Sequence, residues 1–285
     1  MRNTLGTPNP SFYSLGRGSV SFGTPLDAVT GKPANYRHLG NASDLSVNVS
    51  AETLQHLSSR SGLKVVDLDV VVSQSMEVSL VLDEIAFENL ALFMAGTDET
   101  LVAATYNPTA LATGYGFNPG AAWVGGRWYD LLHNAAPGTA SGRKGYDLKT
   151  SSPISFSAGT PAETTDYVLD RKMGRIFIVK AGALDGATST ITVAQNASAA
   201  ALDVVKALKT AAISGALKFI GKNPANNDQQ VEYQFHKVSL KADGELPLIG
   251  SEFMTLSLKG VAEANALADS ESPTLRVTSH VNAHA

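Results

Sequence analysis

Asp67 and Asp69 form an Asp-x-Asp pair in a stretch that alternates like a strand. Two carboxylates so placed can ligate Mg²⁺ or serve in acid and base work. Regular alternation puts any acids two apart on one face, so the same pair equally describes a solvated strand face. The six histidines, His38, His56, His133, His236, His280 and His284, show no HExxH or other ligand spacing. Ser-x-x-Lys occurs at Ser61 to Lys64 and at Ser141 to Lys144, each in a Gly-containing loop without companion motifs to position a second base. Gly16-x-Gly18 lacks the third glycine and the strand-to-helix setting of a dinucleotide site, and Gly221-Lys222 lacks a phosphate-binding loop around it. No constellation of nucleophile, base and oxyanion donors assembles from these pieces. The sequence predicts no catalytic residue, no metal site and no cofactor, hence a protein that is not an enzyme.

The composition narrows the classes further. The chain has 285 residues, enough for a substantial core in one or two domains. Its 22 Lys and Arg against 26 Asp and Glu give a net charge of −4, which argues against a protein built to grip nucleic acid. Only 17% of residues are charged and 25 are glycine. Such a surface suits burial by neighbouring subunits, and equally a Gly-rich β protein. With no cysteine there is no disulfide framework, thiolate metal site or cysteine nucleophile. The first residues, MRNTLGTPNPSF, contain no signal-peptide core, and no run approaches the roughly 20 apolar residues that span a bilayer. The expectation is assembly in the cytosol without membrane insertion.

Any such chemistry has to be held by elements, and the clearest lie between Ala51 and Gly96. From Val65 to Asp83 the odd positions read Val, Asp, Asp, Val, Ser, Ser, Glu, Ser, Val, Asp, and the even positions from Val66 to Leu82 are apolar except Gln74. A period of two with one dry and one wet, acid-rich face predicts half-buried antiparallel strands. A polar loop, Glu52 to Lys64, leads into them. A helix follows, with Asp83 as N-cap, an apolar stripe of Phe87, Leu90, Ala91 and Met94, and a stop at Gly96. Further strands are expected at Phe12–Phe22, Tyr36–Leu39, Leu45–Ser50, Pro153–Phe156, Tyr167–Leu169, Arg175–Val179, Val231–Leu240 and Phe253–Gly260, with a second helix at Ser198–Thr210. Residues 1–10 read as a flexible arm, and the chain from Glu263 onward as a polar tail that is mobile or docked on a partner. Between about 97 and 150, Gly, Asn, Pro and aromatics dominate, marking an insertion or a small second β region. The fold class is α+β, mainly antiparallel β.

Three blocks carry a resemblance to a known family. They are YRHLGNASDLSVNVSAETLQHLSSRSGLKVVDLDVVVSQSMEVSLVLDEIAFENLALFMAG at 36–96, DYVLDRKMGRIFIVKAGAL at 166–184, and GALKFIGKNPANNDQQVEYQFHKVSLKADGELPLIGSEFMTLSLKG at 215–260. Their order resembles the major tail tube proteins of long, non-contractile phage tails. The segment at about 97–150 departs from that family's core. The resemblance implies a single tail tube domain over 1–285, a β-sandwich or barrel with one flanking α-helix and insertions. It implies hexameric rings that stack into a tube, with an inner β-barrel formed when the hexamer closes.

It also implies roles for residues. The wet face of the long strands would look into the channel, so that Asp67, Asp69, Glu77 and Asp83 let the polyanion DNA slide without binding. The loop carrying Glu52, Thr53, Leu54, Gln55, His56, Leu57, Arg60 and Lys64 would reach neighbouring subunits or the adjacent ring. Implied partners are further copies of the chain, a tape-measure protein, tail terminator and distal tail proteins, and double-stranded DNA in passage. The implied location is the virion tail, assembled in host cytoplasm. Two other readings stay open: the inner tube of a contractile tail or secretion apparatus, and an adhesive or carbohydrate-binding β domain using the Trp123 to Tyr129 region as a stacking platform.

Overall fold

Alternating apolar residues dominate the chain's architecture. A computed structural model describes residues 16–58, 62–101, 115–117, 122–133, 143–144, 154–189, 191–193, 202–224 and 229–279. The expected arm at 1–10, Arg60, His280 and His284 lie outside them. The described residues are mostly antiparallel β-sheet with one short helix. They divide into two compact units, Met1–Asp98 with Val205–Ala285, and Glu99–Val204.

The first unit begins with β1 (Arg17–Gly23), β2 (Arg37–His38), β3 (Ala42–Ser58), β4 (Val65–Leu82) and helix α1 (Phe87–Phe93). The chain leaves through β5 (Thr97–Leu101). The second unit holds β6 (Tyr115–Phe117), β7 (Arg127–Asp130), β8 (Leu132–His133), β9 (Arg143–Lys144), β10 (Ile154–Phe156), β11 (Tyr167–Asp170), β12 (Arg175–Ile178) and β13 (Ile191–Val193). β14 (Leu202–Lys206) pairs with β5 and returns the chain to β15 (Ile213–Asn223), β16 (Gln229–Ala242), β17 (Leu256–Ala262) and β18 (Leu275–Ser279).

The eight-stranded sheet of the first unit runs β2-β1-β15-β16-β17-β4-β3, with β18 beside the first half of β16. Every second residue of β4 from Val78 to Leu82 is fully buried, and these side chains meet Val20, Phe22, Leu217, Phe235, Val238, Leu240, Leu256 and Leu258. Phe235 and Val238 differ in parity yet face the same core. The register slips between Gly215 and Leu217, where Val238 and Phe235 are the partners, so β16 carries one extra residue and the alternation resets. Gly18 lies opposite Gly221, and a β-carbon on Gly18 would collide with the Ile220 carbonyl. Gly18 of the Gly16-x-Gly18 pattern thus serves close strand packing, whereas a β-carbon on Gly16 would meet nothing.

Several expectations need correction. The alternating stretch at 65–83 is one 18-residue strand rather than two. The loop expected at Glu52–Lys64 is mostly strand: Glu52, Thr53, Leu54, Gln55, His56 and Leu57 belong to the 17-residue β3, paired with β4 down to Ser58 opposite Val65. Backbone pairing with the long β4 decides the structure there against a polar composition. The second helix is absent from its described part, since Leu202–Lys206 is a strand held to β5, with Thr100 Oγ1 donating to Asp203 at 2.7 Å. The tail after Glu263 is docked on its own sheet, because β18 pairs with Val231–Phe235 of β16.

Helix α1 differs in detail. Ala86 occupies the N-cap position without a side-chain bond, and the Asp83 carboxylate instead accepts from Asn41 Nδ2. The buried face is Asn89, Ala91 and Leu92, while Phe87 is 49% exposed. Asn89 earns its place by hydrogen bonding: Nδ2 donates to the Leu39 and Glu84 carbonyls at 2.8 and 3.1 Å, and Oδ1 accepts from Arg37 at 2.8 Å.

The second unit has its own core of Trp123, Leu131, Tyr167, Leu169, Ile176, Ile178, Leu184 and Ile191. One sheet runs β10-β13-β6-β8-β9 and another β11-β12-β7. Asp166 and Asp185 stitch its turns: the first accepts from the Ala162 and Ala183 amides, the second from those of Gly125 and Ala181. These bonds hold both carboxyls below the ordinary value of 3.8.

Candidate assembly surface

β17 covers β4 only from Met76 to Leu82. Beyond that point β3 and β4 run on together as a two-stranded arm, from Val49 opposite Met76 to Ser58 opposite Val65. At about 3.3 Å per residue the arm is roughly 35 Å long. Along the arm two register slips each put an extra residue into β4, so its alternation resets twice. Val66, Leu68, Val70 and Val72, 45–62% exposed, are uncovered apolar residues spread over both faces of the ribbon. Their cross-strand neighbours include Leu54, opposite Val70, and Leu57, opposite Val66, both also exposed. The expected dry face is therefore dry only from Met76 to Leu82. The slips, at Glu52/Thr53 and His56/Leu57, also add twist along the arm.

The four expected channel acids fall in three settings. Asp67 and Asp69 lie on the arm, and Asp67 Oδ1 sits 2.6 Å from His56 Nδ1. Glu77 lies where the sheet is complete and pairs with Lys259 at 3.1 Å. Asp83 follows the end of β4 and is taken up by Asn41. Elsewhere in the sheet, Lys218 pairs with Glu232 and Lys237 with Glu263. Charge on the polar face of the whole sheet is thus mixed. Sequence reading saw the acids of β4 and missed Lys259, which the register of β17 places beside Glu77. Of the residues expected to reach a neighbour, Glu52 to Leu57 are strung along β3, Lys64 adjoins the start of β4, and Arg60 lies outside the described residues.

Both borders of the sheet are open. β3 has no strand on its outer side among the described residues, and β2 covers β1 only at Ser21 and Phe22. Between these borders lies a cleft of about 560 Å³. Arg17, Val20, Asp44, Val47, Lys222 and Tyr233 are among its lining. Val47 is 42% and Tyr233 37% exposed there.

In the second unit the sheet's outer face shows Trp128, 47% exposed, in register with Phe177 and then Val168. Arg175 lies 4.4 Å above the Trp128 ring and pairs with Asp170 at 3.0 Å. Trp123 is not part of this platform. It is 1% exposed, donates from Nε1 to the Ser189 carbonyl at 2.6 Å, and meets the Tyr129 ring edge-on at 4.8 Å. Among the described residues, no three His, Asp or Glu side chains gather as a metal-ligand set.

Fold and surface together define a mainly antiparallel β protein with an uncovered two-stranded arm and an open-edged sheet. The chain belongs to the family described as "Protein of unknown function UCP028589", which matches residues 13–117 and 147–279. No curated protein matches it.

Proposed function

We propose that this chain is a structural subunit that polymerises, and that its polymer is a phage tail tube of stacked hexameric rings. The observation that carries the reading is the arm: a ribbon of β3 and β4 exposing Leu54, Leu57, Val66, Leu68, Val70 and Val72. Two-stranded ribbons are marginal in water, and apolar edge strands invite pairing with another chain. A subunit whose arm is covered by a neighbour answers both liabilities. The open borders of β3 and β1 support the same reading. Joined edge to edge around a ring, they would close an inner barrel that neither forms alone.

On this reading Asp67, Glu77 and Asp83 face the channel, while Asp69, opposite Gln55 beyond the first register slip, falls on the other face of the ribbon. The Glu77–Lys259 pair weakens their combined potential, which then rests mainly on Asp67 and Asp83. The partners would be further copies of the chain, a tape-measure protein, tail terminator and distal tail proteins, with double-stranded DNA in passage through a virion tail. Purified protein at high concentration should form six-fold rings or hollow tubes in negative-stain images. A monomer that persists at every concentration overturns the proposal.

The Trp128, Phe177 and Val168 row favours a second role for the second unit, contact with glycan. A ring steadied by Arg175 offers a flat apolar face beside polar groups that can bond hydroxyls. Calorimetric titration with glucose and N-acetylglucosamine hexasaccharides tests it. Heat that disappears in Trp128→Ala supports glycan contact, and no heat with the native protein refutes it for these sugars.

A further inference from the structure

The connection from Asp243 to Thr255, between β16 and β17, is the most exposed apolar feature of the described residues. Leu248 is 79% exposed, and Ile249 and Phe253 are each 97% exposed. Isolated exposed apolar residues are ordinary, but three large ones on one short excursion form a patch. The loop is anchored at both ends. The Asp243 amide donates to the Ser257 carbonyl at 2.8 Å, Leu246 packs against the core, and Leu256 is fully buried. The stretch from Pro247 to Met254 is therefore an outward projection between two anchored ends.

The same unit carries a cavity with matching properties. The cleft between β1 and β3 has an apolar floor of Val20, Phe219 and Phe235, an exposed apolar wall at Val47 and Tyr233, and a volume of about 560 Å³. That lies within the range of about 300–1,000 Å³ that takes a compact guest. Its charged lining is Arg17 and Lys222 against Asp44. From Asp243 to Thr255 the loop carries Asp243, Glu245 and Glu252 and no Lys or Arg. An acidic collar around an apolar tip meets a cleft with a basic excess.

We infer that the Leu248–Phe253 projection of one copy inserts into the β1/β3 cleft of the next. The inference rests on the self-assembly reading and deepens it by naming the two surfaces that meet. They are different surfaces, so the contact is head-to-tail. Such contacts propagate into closed rings or open filaments rather than stopping at a symmetric dimer. Burying Ile249 and Phe253 supplies the attraction, and the acidic collar fixes the direction of insertion.

Charge exchange tests the contact in the full-length chain. Arg17→Glu with Lys222→Glu in the cleft, and Glu245→Lys with Glu252→Lys in the loop, should each weaken self-association by about tenfold or more. Combining all four should restore it, as read by sedimentation velocity, with circular dichroism checking that each variant is folded. Native-like association by either pair alone, or no recovery in the combination, overturns the inference while leaving assembly intact. Failure of the native chain to associate at all overturns the self-assembly reading, and this contact with it. The absence of cysteine permits a second measurement. Ser43→Cys with Ser251→Cys, treated with a short bis-maleimide, should give a ladder of covalent multimers. A product linked only within one chain would mean that the loop serves its own cleft, and would also overturn the inference.

Discussion

His236 shows what a single side chain can cost and reveal. Its ring is 3% exposed, neither nitrogen has a hydrogen-bond partner, and Asp269 lies 3.7 Å away. Burial holds its pKa below the ordinary 6.5 despite that carboxylate, with Lys32 and Arg276 pushing the same way as burial. The neutral ring is therefore the form the fold accepts. Above pH 6.5 His236 costs nothing through titration. As pH falls below 6.5 the unfolded chain takes up the proton first, so stability declines until the folded-state pKa is passed. Chemical denaturation between pH 8 and 5 should show this slope, and His236→Phe should flatten it. Asn89 makes the complementary case. Asn89→Leu leaves Arg37 and the Leu39 carbonyl without their buried partner and should cost about 1–3 kcal/mol in urea unfolding, with no change in the pH slope. Neither role was legible beforehand. His236 is buried beside Asp269 and Arg276, which the chain after β17 brings against β16, and Asn89 stands in a helix whose apolar stripe pointed elsewhere.

Elements were legible where their own pattern decided the outcome. The alternation of β4 from Met76 to Leu82, the strands of β16 and β17, and the presence of a helix before Gly96, though not its cap or buried face, follow from local periodicity. The misreadings share one cause, pairing with another strand that the local pattern does not show. Glu52–Leu57 became strand because β4 lies alongside, Leu202–Lys206 because β5 does, and Leu275–Ser279 because β16 has a free flank there. The arm was hidden for the same reason. A sequence shows that Val66, Leu68, Val70 and Val72 are apolar, but only the end of β17 shows that nothing in the first unit's sheet continues beside them. Leu68→Asp with Val70→Asp should leave the monomer's melting temperature within a few degrees of native, since both side chains already meet water. The same variant should abolish rings or tubes in negative-stain images. Tubes of normal length from it would remove the arm from the assembly.

Two separate cores, one built on Leu80, Leu82 and Phe235 and the other on Trp123, Leu131 and Ile176, make two cooperative blocks of one chain. Scanning calorimetry should resolve two transitions, and residues 99–204 expressed alone should retain one of them; a single transition lost on excision would show that the cores depend on each other. Composition hinted at this division, since the Gly- and aromatic-rich stretch from about 97 begins where the first core ends. It did not reveal that Tyr167, Ile176 and Ile178 complete the second core. The arm has a mechanical consequence as well. A ribbon two strands wide bends and twists far more readily than the eight-stranded sheet from which it springs. A polymer joined through such ribbons carries its compliance in the joints, so it can curve over long distances while every sheet stays rigid.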